Sequence, residues 1–258
     1  MQETVLVTGA SSGIGLELAK CFAAEKSNLV LVARNTAALE ELAASLRREH
    51  QIEVSVIGAD LAKLEAPQQV CDELKGRGIT VDVLVNNAGF GLHGNFAELP
   101  LDRQLEIIQV NVMALTALTR LFLPGMMQRR RGGILNVGSV AGFVPGPNMA
   151  VYYASKAFVQ SFSEALCVEL RDTGVSITNL CPGPTETNFS KTARSYQARK
   201  MQVGKMSAAE VALAGCQAFR RQQCVQVPGF KNKLLVYLTK VMPRAIVRRI
   251  IGHYNKLK

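Results

Sequence analysis

A short apolar run at residues 5–8 leads straight into a loop that contains Gly9, Gly13 and Gly15. Residues 16–23 follow with the composition of a helix. Glycines permit a tight turn and a close approach of a ligand to the backbone, and the N-terminus of a helix offers free N–H groups to a phosphate. A strand, a glycine loop and a helix in this order predict a cradle for the pyrophosphate of a dinucleotide.

Further β-rich runs alternate with helical patterns along the rest of the chain. Strands that alternate with helices form a parallel sheet with helices on both faces. A chain of 258 residues without repeats or low-complexity linkers suits one such unit. We therefore predict a single α/β domain over residues 1–258, with a Rossmann-like doubly wound parallel β-sheet. The predicted strands are residues 5–8, 28–33, 52–57, 81–85, 134–138, 175–180 and, at the edge, 224–227.

Arg34 stands at the end of the second predicted strand. In a dinucleotide fold an acidic residue at this point binds the ribose 2′-hydroxyl of NAD, whereas an arginine accommodates the 2′-phosphate of NADP. Arg34 therefore favours NADP over NAD, and a solvated side chain at a strand end is the weaker interpretation. Asp60 follows the third strand, where it could cap the next helix or accept a hydrogen bond from adenine; the sequence does not separate these roles.

Tyr152 and Lys156 lie four residues apart in a helical pattern, which places both side chains on one helix face. A nearby positive charge favours the phenolate and lowers the pKa of a tyrosine from about 10. Ser139 ends a buried strand and could hold a substrate oxygen against the same phenol. Tyr-x-x-x-Lys alone is a weak signal, but with the glycine loop it predicts proton transfer to or from a carbonyl or alcohol oxygen.

Residues 102–128 carry a long helical pattern whose buried side is interrupted by Asn111. A buried asparagine has to be hydrogen-bonded. Asn111 therefore either caps a local backbone irregularity or holds a water near the Tyr-Lys pair. Asn86 and Asn87 end the fourth strand, where we expect their amides to pin neighbouring strands.

Taken together, these motifs resemble the short-chain dehydrogenase/reductase family over nearly the whole chain. The order of the motifs and the thirteen positions between Ser139 and Tyr152 match that family. The basic C-terminal tail resembles the tails of a poorly characterised, DltE-like branch. The resemblance rests on residues 8–15 and 86–89, Asn111, Ser139, Tyr152 with Lys156, and Pro182-Gly183 with Thr187.

The resemblance implies an NADP(H)-dependent oxidoreductase that moves a hydride between nicotinamide and a carbonyl or secondary alcohol. It implies that Tyr152 is the acid/base, that Lys156 lowers its pKa and binds the nicotinamide ribose, and that Ser139 orients the substrate carbonyl. Asn111 would support a proton-relay water. Ser12 stands where many NADP-preferring members carry a basic residue, so the NADP preference rests mostly on Arg34. The expected NADP (NADPH) contacts are Gly9, Ser11, Ser12, Gly13, Ile14, Gly15, Arg34, Asp60, Leu61, Asn87, Ala88, Gly89, Tyr152, Lys156, Pro182, Gly183, Thr185 and Thr187.

Charge is distributed unevenly along the chain. Residues 1–186 have a net charge of −4, whereas residues 187–258 contain a single acid, Glu210, and account for more than the whole net charge of +10. We predict that residues 231–258, with eight Lys/Arg and no acid, form a basic amphipathic C-terminal extension. It could lie on an anionic membrane, dock on an acidic carrier protein, or cover the substrate cleft and pack against another subunit, the last being commonest.

The six cysteines are scattered through apolar segments and form no Cys-x-x-Cys pair. This pattern is typical of buried thiols in a reducing cytosol, and we expect no metal site. The chain starts without a basic n-region, and no uninterrupted apolar run reaches the ~18 residues of a membrane span. We therefore expect a cytoplasmic protein. The basic residues lack interleaved aromatics, so nucleic acid is not an expected partner.

The residues around the predicted site are mostly apolar, which favours a lipid-like, acyl or steroid-like carbonyl over a sugar. A lone histidine in a loop, such as His93, is more often solvated than bound to substrate. Residues 188–206 are polar and basic and are predicted to form a substrate lid. The predicted substrate contacts are Ser139, Phe90, His93 and Phe143, with Leu92, Val140, Val144 and Met149 as further walls.

We expect a homo-oligomer, either a dimer or a tetramer, that acts on a small-molecule carbonyl or alcohol. Two other functions are compatible with the sequence. One is a nucleotide-sensing protein that binds NADP to control a partner, although a pure sensor has no need of a low-pKa phenol. The other is a membrane-associated or carrier-associated 3-ketoacyl reductase, which the basic tail suggests.

Overall fold

The computed structural model of the chain describes residues 2–187 and 205–256. Strands and helices alternate through this part of the chain, as the sequence predicts. The strands are β1 (Thr4–Thr8), β2 (Asn28–Ala33), β3 (Val54–Gly58), β4 (Val83–Asn86), β5 (Gly132–Val137), β6 (Val175–Leu180), β7 (Thr185–Glu186), β8 (Met206–Ser207) and β9 (Val225–Gln226). The helices are α1 (Gly13–Ala24), α2 (Thr36–His50), α3 (Ala66–Gly76), α4 (Leu101–Ile108), α5 (Leu115–Arg129), α6 (Ala150–Glu169), α7 (Ala208–Arg220), α8 (Phe230–Val241) and α9 (Arg244–Tyr254).

Seven strands form one parallel sheet in the order β3-β2-β1-β4-β5-β6-β9, while β7 and β8 pair separately. The chain builds outward from β1 to β3 and then crosses back to β4, so the strand order reverses between β1 and β4. In open α/β sheets the ligand crevice lies at such a reversal, outside the carboxyl ends of the strands. The predicted Rossmann-like doubly wound fold is confirmed.

The two faces of the sheet are buried against different helices. Val5 and Val7 of β1 pack with α1, α2 and α7, whereas Leu6 packs on the other face with α3 and α5. Successive strand residues point to opposite faces, so burial of both faces requires every position to be apolar. This is why the central strands can be recognised in the sequence as short, continuous apolar runs.

A row of amide side chains crosses the carboxyl ends of three central strands. Asn86, Asn136 and Asn179 are register partners on β4, β5 and β6. Asn86 Nδ2 donates to Asn136 Oδ1 at 3.0 Å, and Asn136 Nδ2 donates to Ser163 Oγ of α6 at 2.9 Å. These bonds satisfy the buried Nδ2 groups of Asn86 and Asn136 and hold α6, which carries Tyr152, against the sheet. The predicted pinning role of Asn86 is confirmed.

The long helical pattern at residues 102–128 is a helix with one irregularity. A π-helical turn at Gln109–Ala114 joins α4 to α5. The whole run, Leu101–Arg129, is long and apolar enough to cross a membrane by length and composition, a test that core helices of soluble proteins also pass. Leu118 and Met126 are fully buried in the core beside α3 and the sheet, although only 33% of the most apolar window of the run is buried.

Three segments differ from the predictions or lie outside them. The tail forms two helices, because Pro243 cannot continue α8.

Cys167 and Cys224, 57 residues apart, pair as a disulfide, whereas the sequence predicts thiols. The sequence does not show this pair because the end of α6 and the start of β9 meet only in the folded chain. Most of the predicted lid, residues 188–204, lies outside the described residues.

Candidate active site

The loop between β1 and α1 has the geometry of a phosphate cradle. Gly9 and Gly13 have φ angles of +65° and +59°, in the left-handed region that favours glycine. A Cβ at Gly15 would overlap the Asn87 amide and lie 2.5 Å from the Gly9 carbonyl oxygen. Ser12, the N-cap of α1, makes no side-chain cap bond, so the first N–H groups of the helix remain available to an anion.

Asn87 and Thr8 tie the glycine loop to the end of β4. Asn87 Nδ2 donates to the carbonyl oxygens of Thr8 and Gly9, at 2.9 and 3.2 Å. Thr8 Oγ1 accepts from the backbone N–H groups of Asn87 and Ala88, at 3.0 and 3.1 Å. The cradle and the residues predicted to contact the ribose therefore form one unit that fits a dinucleotide.

The loop after β6 faces the glycine loop across the cleft. Thr185 Oγ1 donates to the Gly183 carbonyl oxygen at 2.9 Å. The Thr187 methyl group lies so close to Gly13 that a Cβ there would be 3.2 Å away. Gly15 lies beneath the loop. The other predicted cofactor residues all line one cleft: Gly9, Ser11, Ser12, Gly13, Ile14, Arg34, Asp60, Leu61, Asn87, Ala88, Gly89, Tyr152, Lys156, Pro182, Gly183, Thr185 and Thr187.

Arg34 lines this cleft at the end of β2, where its side chain is 68% exposed. Its Nη1 lies 3.8 Å from Oε1 of Glu106, which reaches across from α4. The guanidinium is therefore accessible to an incoming phosphate, with the Glu106 carboxylate beside it. Asp60 Oδ1 accepts the Ala62 N–H at 3.2 Å, so Asp60 caps a turn ahead of α3. Its contact with adenine stays a prediction.

Tyr152 and Ser139 meet at the middle of the cleft. Ser139 is the N-cap of a 3-10 turn at Val140–Phe143, and its Oγ accepts the Ala141 N–H at 3.1 Å. A side-chain hydrogen bond joins Ser139 to Tyr152. Burial raises the pKa of Tyr152 to about 12, and the bond to Ser139 acts in the opposite direction. At neutral pH the phenol is therefore protonated and can donate to a substrate oxygen.

The net pKa of Tyr152 lies above its ordinary value, so burial and not Lys156 dominates it in this structure. Lys156 Nζ donates to the Val137 carbonyl oxygen at 2.8 Å. Burial lowers the pKa of Lys156 to about 8. Burial makes the charged form of each side chain costly, which raises the pKa of the tyrosine and lowers that of the lysine. The pair is a neutral phenol beside an ammonium that titrates close to neutral pH.

We expect the wild-type protein to gain stability relative to Lys156→Met as the pH rises from about 8 to about 10. The pKa of Lys156 is about 8 in the folded protein against an ordinary value of 10.5, so the unfolded chain binds more protons between these values. The free energy of unfolding therefore rises with pH, by about 3 kcal/mol over the full window. Guanidinium titrations of both proteins across this pH range measure it. Parallel profiles would show that Lys156 keeps an ordinary pKa.

Asn111 lies in the π-helical turn and bonds to the loop after β4. Its Oδ1 accepts the Phe90 N–H at 3.1 Å, and its Nδ2 donates to the Phe90 carbonyl oxygen and to Ser155 Oγ, each at 3.0 Å. Its side chain therefore satisfies the backbone of Phe90, 21 positions away, and not that of its own π-helical turn, as capping of a local irregularity would require. Asn111 lies behind the residues that line the cleft, and its proton-relay role stays a prediction.

The C-terminal helices cover the apolar end of the cleft. Leu235 of α8 and Ile250 and Ile251 of α9 line it together with Phe90 and Met149. The cleft encloses about 870 Å³, within the range of small-molecule sites. The predicted cover over the cleft is therefore present, whereas contact of the tail with another subunit, a membrane or a carrier protein stays a prediction.

Two predicted substrate contacts, His93 and Phe143, lie outside this lining. His93 is buried, and its Nε2 donates to the Asn255 carbonyl oxygen at 3.1 Å, so it anchors the end of α9 instead of facing substrate or solvent. Phe143 packs against the cluster of Cys181, Val227 and Val236, and Lys240 Nζ lies 5.8 Å from its ring centroid. The sequence could not show the His93 contact, because the two residues are 162 positions apart.

Other cleft residues have no signal in the local sequence. Glu106 meets Arg34 from a separate helix, and Lys231 and Asn232 of α8 lie on the same cleft as Gly183. The amphipathic character predicted for residues 231–258 left the role of the tail open, and it gave no signal for these polar positions.

The chain resembles known proteins in sequence and in fold. A family model described as short chain dehydrogenase matches residues 3–198. The very-long-chain 3-oxoacyl-CoA reductase of Anas platyrhynchos is 35% identical over 195 residues, which are 73% of this chain and 62% of that protein. A solved short-chain dehydrogenase from Sphingobium yanoikuyae in complex with NADPH is 32% identical, with a TM-score of 0.81 over 94% of this chain and 97% of that one. A solved short-chain dehydrogenase/reductase from Burkholderia phymatum in complex with NAD is 28% identical, with a TM-score of 0.83 over 92% of each chain.

The family match covers the glycine cradle, Asn87, Asn111, Ser139, Tyr152 and Lys156. The sheet order and the cleft at its carboxyl edge are those of a nicotinamide-nucleotide site. The chain therefore belongs to the short-chain dehydrogenase family of oxidoreductases.

Proposed function

We propose that the protein is an NADP(H)-dependent oxidoreductase that interconverts a carbonyl and a secondary alcohol on an apolar or acyl-type substrate. The hydrogen bond between Ser139 and Tyr152 supports this most directly, because both residues line the cleft between the glycine cradle and the apolar end. Two hydroxyl groups at one point can hold a single substrate oxygen, and the buried phenol can exchange a proton with it.

Each of the three polar residues has a distinct task in this reaction. When bound, the nucleotide supplies or accepts the hydride at C4 of its nicotinamide ring. Tyr152 donates its proton to the carbonyl oxygen during reduction and takes it back during oxidation, and Ser139 orients that oxygen. Lys156, whose pKa is about 8, carries positive charge at neutral pH and stabilises the phenolate as it forms.

The walls of the cleft support the apolar or acyl class of substrate. Leu235, Val236, Ile250 and Ile251 line the end formed by the C-terminal helices, beside Met149. Apolar walls favour a hydrocarbon chain or ring system because its burial releases water from both surfaces. The likeness to a 3-oxoacyl-CoA reductase from Anas platyrhynchos supports an acyl chain in particular.

A spectrophotometric screen of NADPH oxidation tests the proposed activity. The panel contains 3-oxoacyl thioesters of coenzyme A and of acyl carrier protein, bulky aliphatic ketones, steroid ketones and small sugars. We expect at least one apolar carbonyl with kcat/KM above about 10⁴ M⁻¹ s⁻¹ and no turnover of the sugars. A nucleotide-sensing protein would instead bind NADPH saturably and turn over no carbonyl, which would refute the enzymatic proposal.

Arg34→Ala is expected to weaken NADPH binding by about 10- to 100-fold and to leave NADH binding within about twofold. A hydrogen bond between a guanidinium and a phosphate contributes about 1.5–3 kcal/mol, and NADH has no 2′-phosphate to lose. Isothermal titration with both nucleotides measures the two affinities in the same preparation. Equal losses for NADPH and NADH would mean that Arg34 does not select the 2′-phosphate.

We also propose that the protein is a homo-oligomer. Leu101 and Leu105 of α4 are 68% and 54% exposed, and Val168 of α6 is 56% exposed. Exposed apolar residues on neighbouring helices are typical of a subunit interface, and α4 and α6 are in contact. Multi-angle light scattering should give the mass of a dimer or a tetramer; a monomer at micromolar concentration would contradict this.

A further inference from the structure

The outer face of α8 is apolar although it faces solvent. Its five side chains fall within an arc of about 100° on the helix and are 42–80% exposed. Val236, on the opposite side, is buried. Single exposed apolar residues are ordinary, but a continuous stripe on one helix is typical of a binding surface. This stripe, the α8 face, consists of Phe230, Leu234, Tyr237, Leu238 and Val241.

The two C-terminal helices, α8 and α9, carry basic side chains and no acid. No acidic residue follows Glu210 in the sequence. A second copy of the chain docked symmetrically on this face would bring these cations against their equivalents, and like-charge repulsion opposes that arrangement. A surface with both hydrocarbon and negative charge can bury the apolar stripe and attract the cations at the same time. The exposed cations on α8 and α9 are Lys231, Lys233, Lys240, Arg244, Arg248 and Arg249.

The exposed apolar residues of α4 have different neighbours. Leu101 and Leu105 share their helix with Asp102, Arg103 and Glu106, so charges of both signs are present. Mixed charge suits contact with another protein surface. No acid lies near the α8 face in the sequence. This face therefore suits an anionic partner, unlike the exposed apolar residues of α4.

The helix that carries the α8 face also lines the cleft. Leu235 and Thr239 of α8 face the cleft, and Ile250 and Tyr254 of α9 line it while remaining 51% and 42% exposed. The cleft therefore opens beside the apolar stripe. We propose that the α8 face docks the protein on the surface of an anionic phospholipid bilayer, so that an apolar substrate reaches the cleft from the lipid. The route of the substrate rests on the proposed function, whereas the docking itself does not.

Co-sedimentation of the full-length protein with vesicles tests the docking. The vesicles are phosphatidylcholine alone or with roughly 30% phosphatidylglycerol, because anionic lipid attracts the cations. We expect at least about tenfold stronger partitioning onto the anionic vesicles, weakened by high salt. Leu234→Ser with Leu238→Ser should reduce this binding about tenfold, since it removes two exposed side chains that would enter the lipid.

A matched control removes two exposed leucines elsewhere. Leu64 and Leu213 are 68% and 53% exposed, and their replacement by serine should leave vesicle binding within about twofold. Equal binding by the two double variants, or no binding of the wild type, would refute the proposal. An altered mass in light scattering for the Leu234→Ser, Leu238→Ser variant, with no vesicle binding by the wild type, would assign the face to a second copy.

Activity assays separate this proposal from the proposed function. The Leu234→Ser, Leu238→Ser variant should turn over a water-soluble ketone at the wild-type rate and lose activity on the same class of ketone presented in vesicles. Vesicle binding without any carbonyl turnover would refute the enzymatic proposal and leave the docking intact. Turnover of the water-soluble ketone without vesicle binding would refute the docking and leave the enzymatic proposal intact.

Discussion

Tyr152→Phe is expected to lower kcat about 10³-fold or more while NADPH binds with nearly unchanged affinity. The substitution keeps the buried ring and removes only the hydroxyl that is bonded to Ser139. A positioned general acid or base contributes roughly 10²- to 10⁴-fold, and here the same group serves both directions of the reaction. Steady-state NADPH oxidation with a confirmed substrate and a separate nucleotide titration measure the two effects.

Tyr153→Phe is the matched control for this variant. Tyr153 is the next residue on α6, but its hydroxyl faces Asn255 Oδ1 at 3.5 Å and not Ser139. Removing that hydroxyl should keep kcat within about threefold, because general acid–base catalysis requires the proton donor to reach the substrate oxygen. A Tyr152→Phe protein that turned over its substrate at the full rate would show that another group transfers the proton.

Gly15→Ala is expected to abolish measurable NADPH binding and to lower the free energy of unfolding by about 1–3 kcal/mol. The new Cβ would overlap the Asn87 amide and approach the Gly9 carbonyl oxygen to 2.5 Å. Asn87 would have to give up its bonds to the glycine loop, so the cradle would lose its shape. Isothermal titration with NADPH and urea denaturation measure the two losses.

Gly76→Ala is the control for a glycine without close neighbours. Gly76 is the last residue of α3, and a Cβ there would have nothing within 4 Å. Alanine reduces the entropy of the unfolded chain, so this variant should be neutral or up to about 1 kcal/mol more stable. NADPH binding should be unchanged. Wild-type affinity in Gly15→Ala would mean that the loop tolerates a side chain and that the cradle is not built on close packing.

The sequence by itself determined the fold and the positions of the main site residues. Each strand of a doubly wound sheet is buried on both faces, so an apolar run within its own residues identifies it. The cradle requires positive φ angles at Gly9 and Gly13, and the glycines that permit them are visible in the sequence. Tyr152 and Lys156 share a helix face because of the four-residue spacing. All of these depend on residues that are close in sequence.

Only the tertiary structure decided the protonation of the site and the outer wall of the cleft. The pKa of Tyr152 rises because separate parts of the chain exclude water from its phenol. The four-residue spacing to Lys156 does not reveal this burial. Glu106 meets Arg34, and His93 meets Asn255, across long stretches of chain. The two C-terminal helices also cover a cleft whose other residues come from distant parts of the chain. Desolvation and long-range contacts depend on how distant segments are packed, and no local pattern of residues encodes that packing.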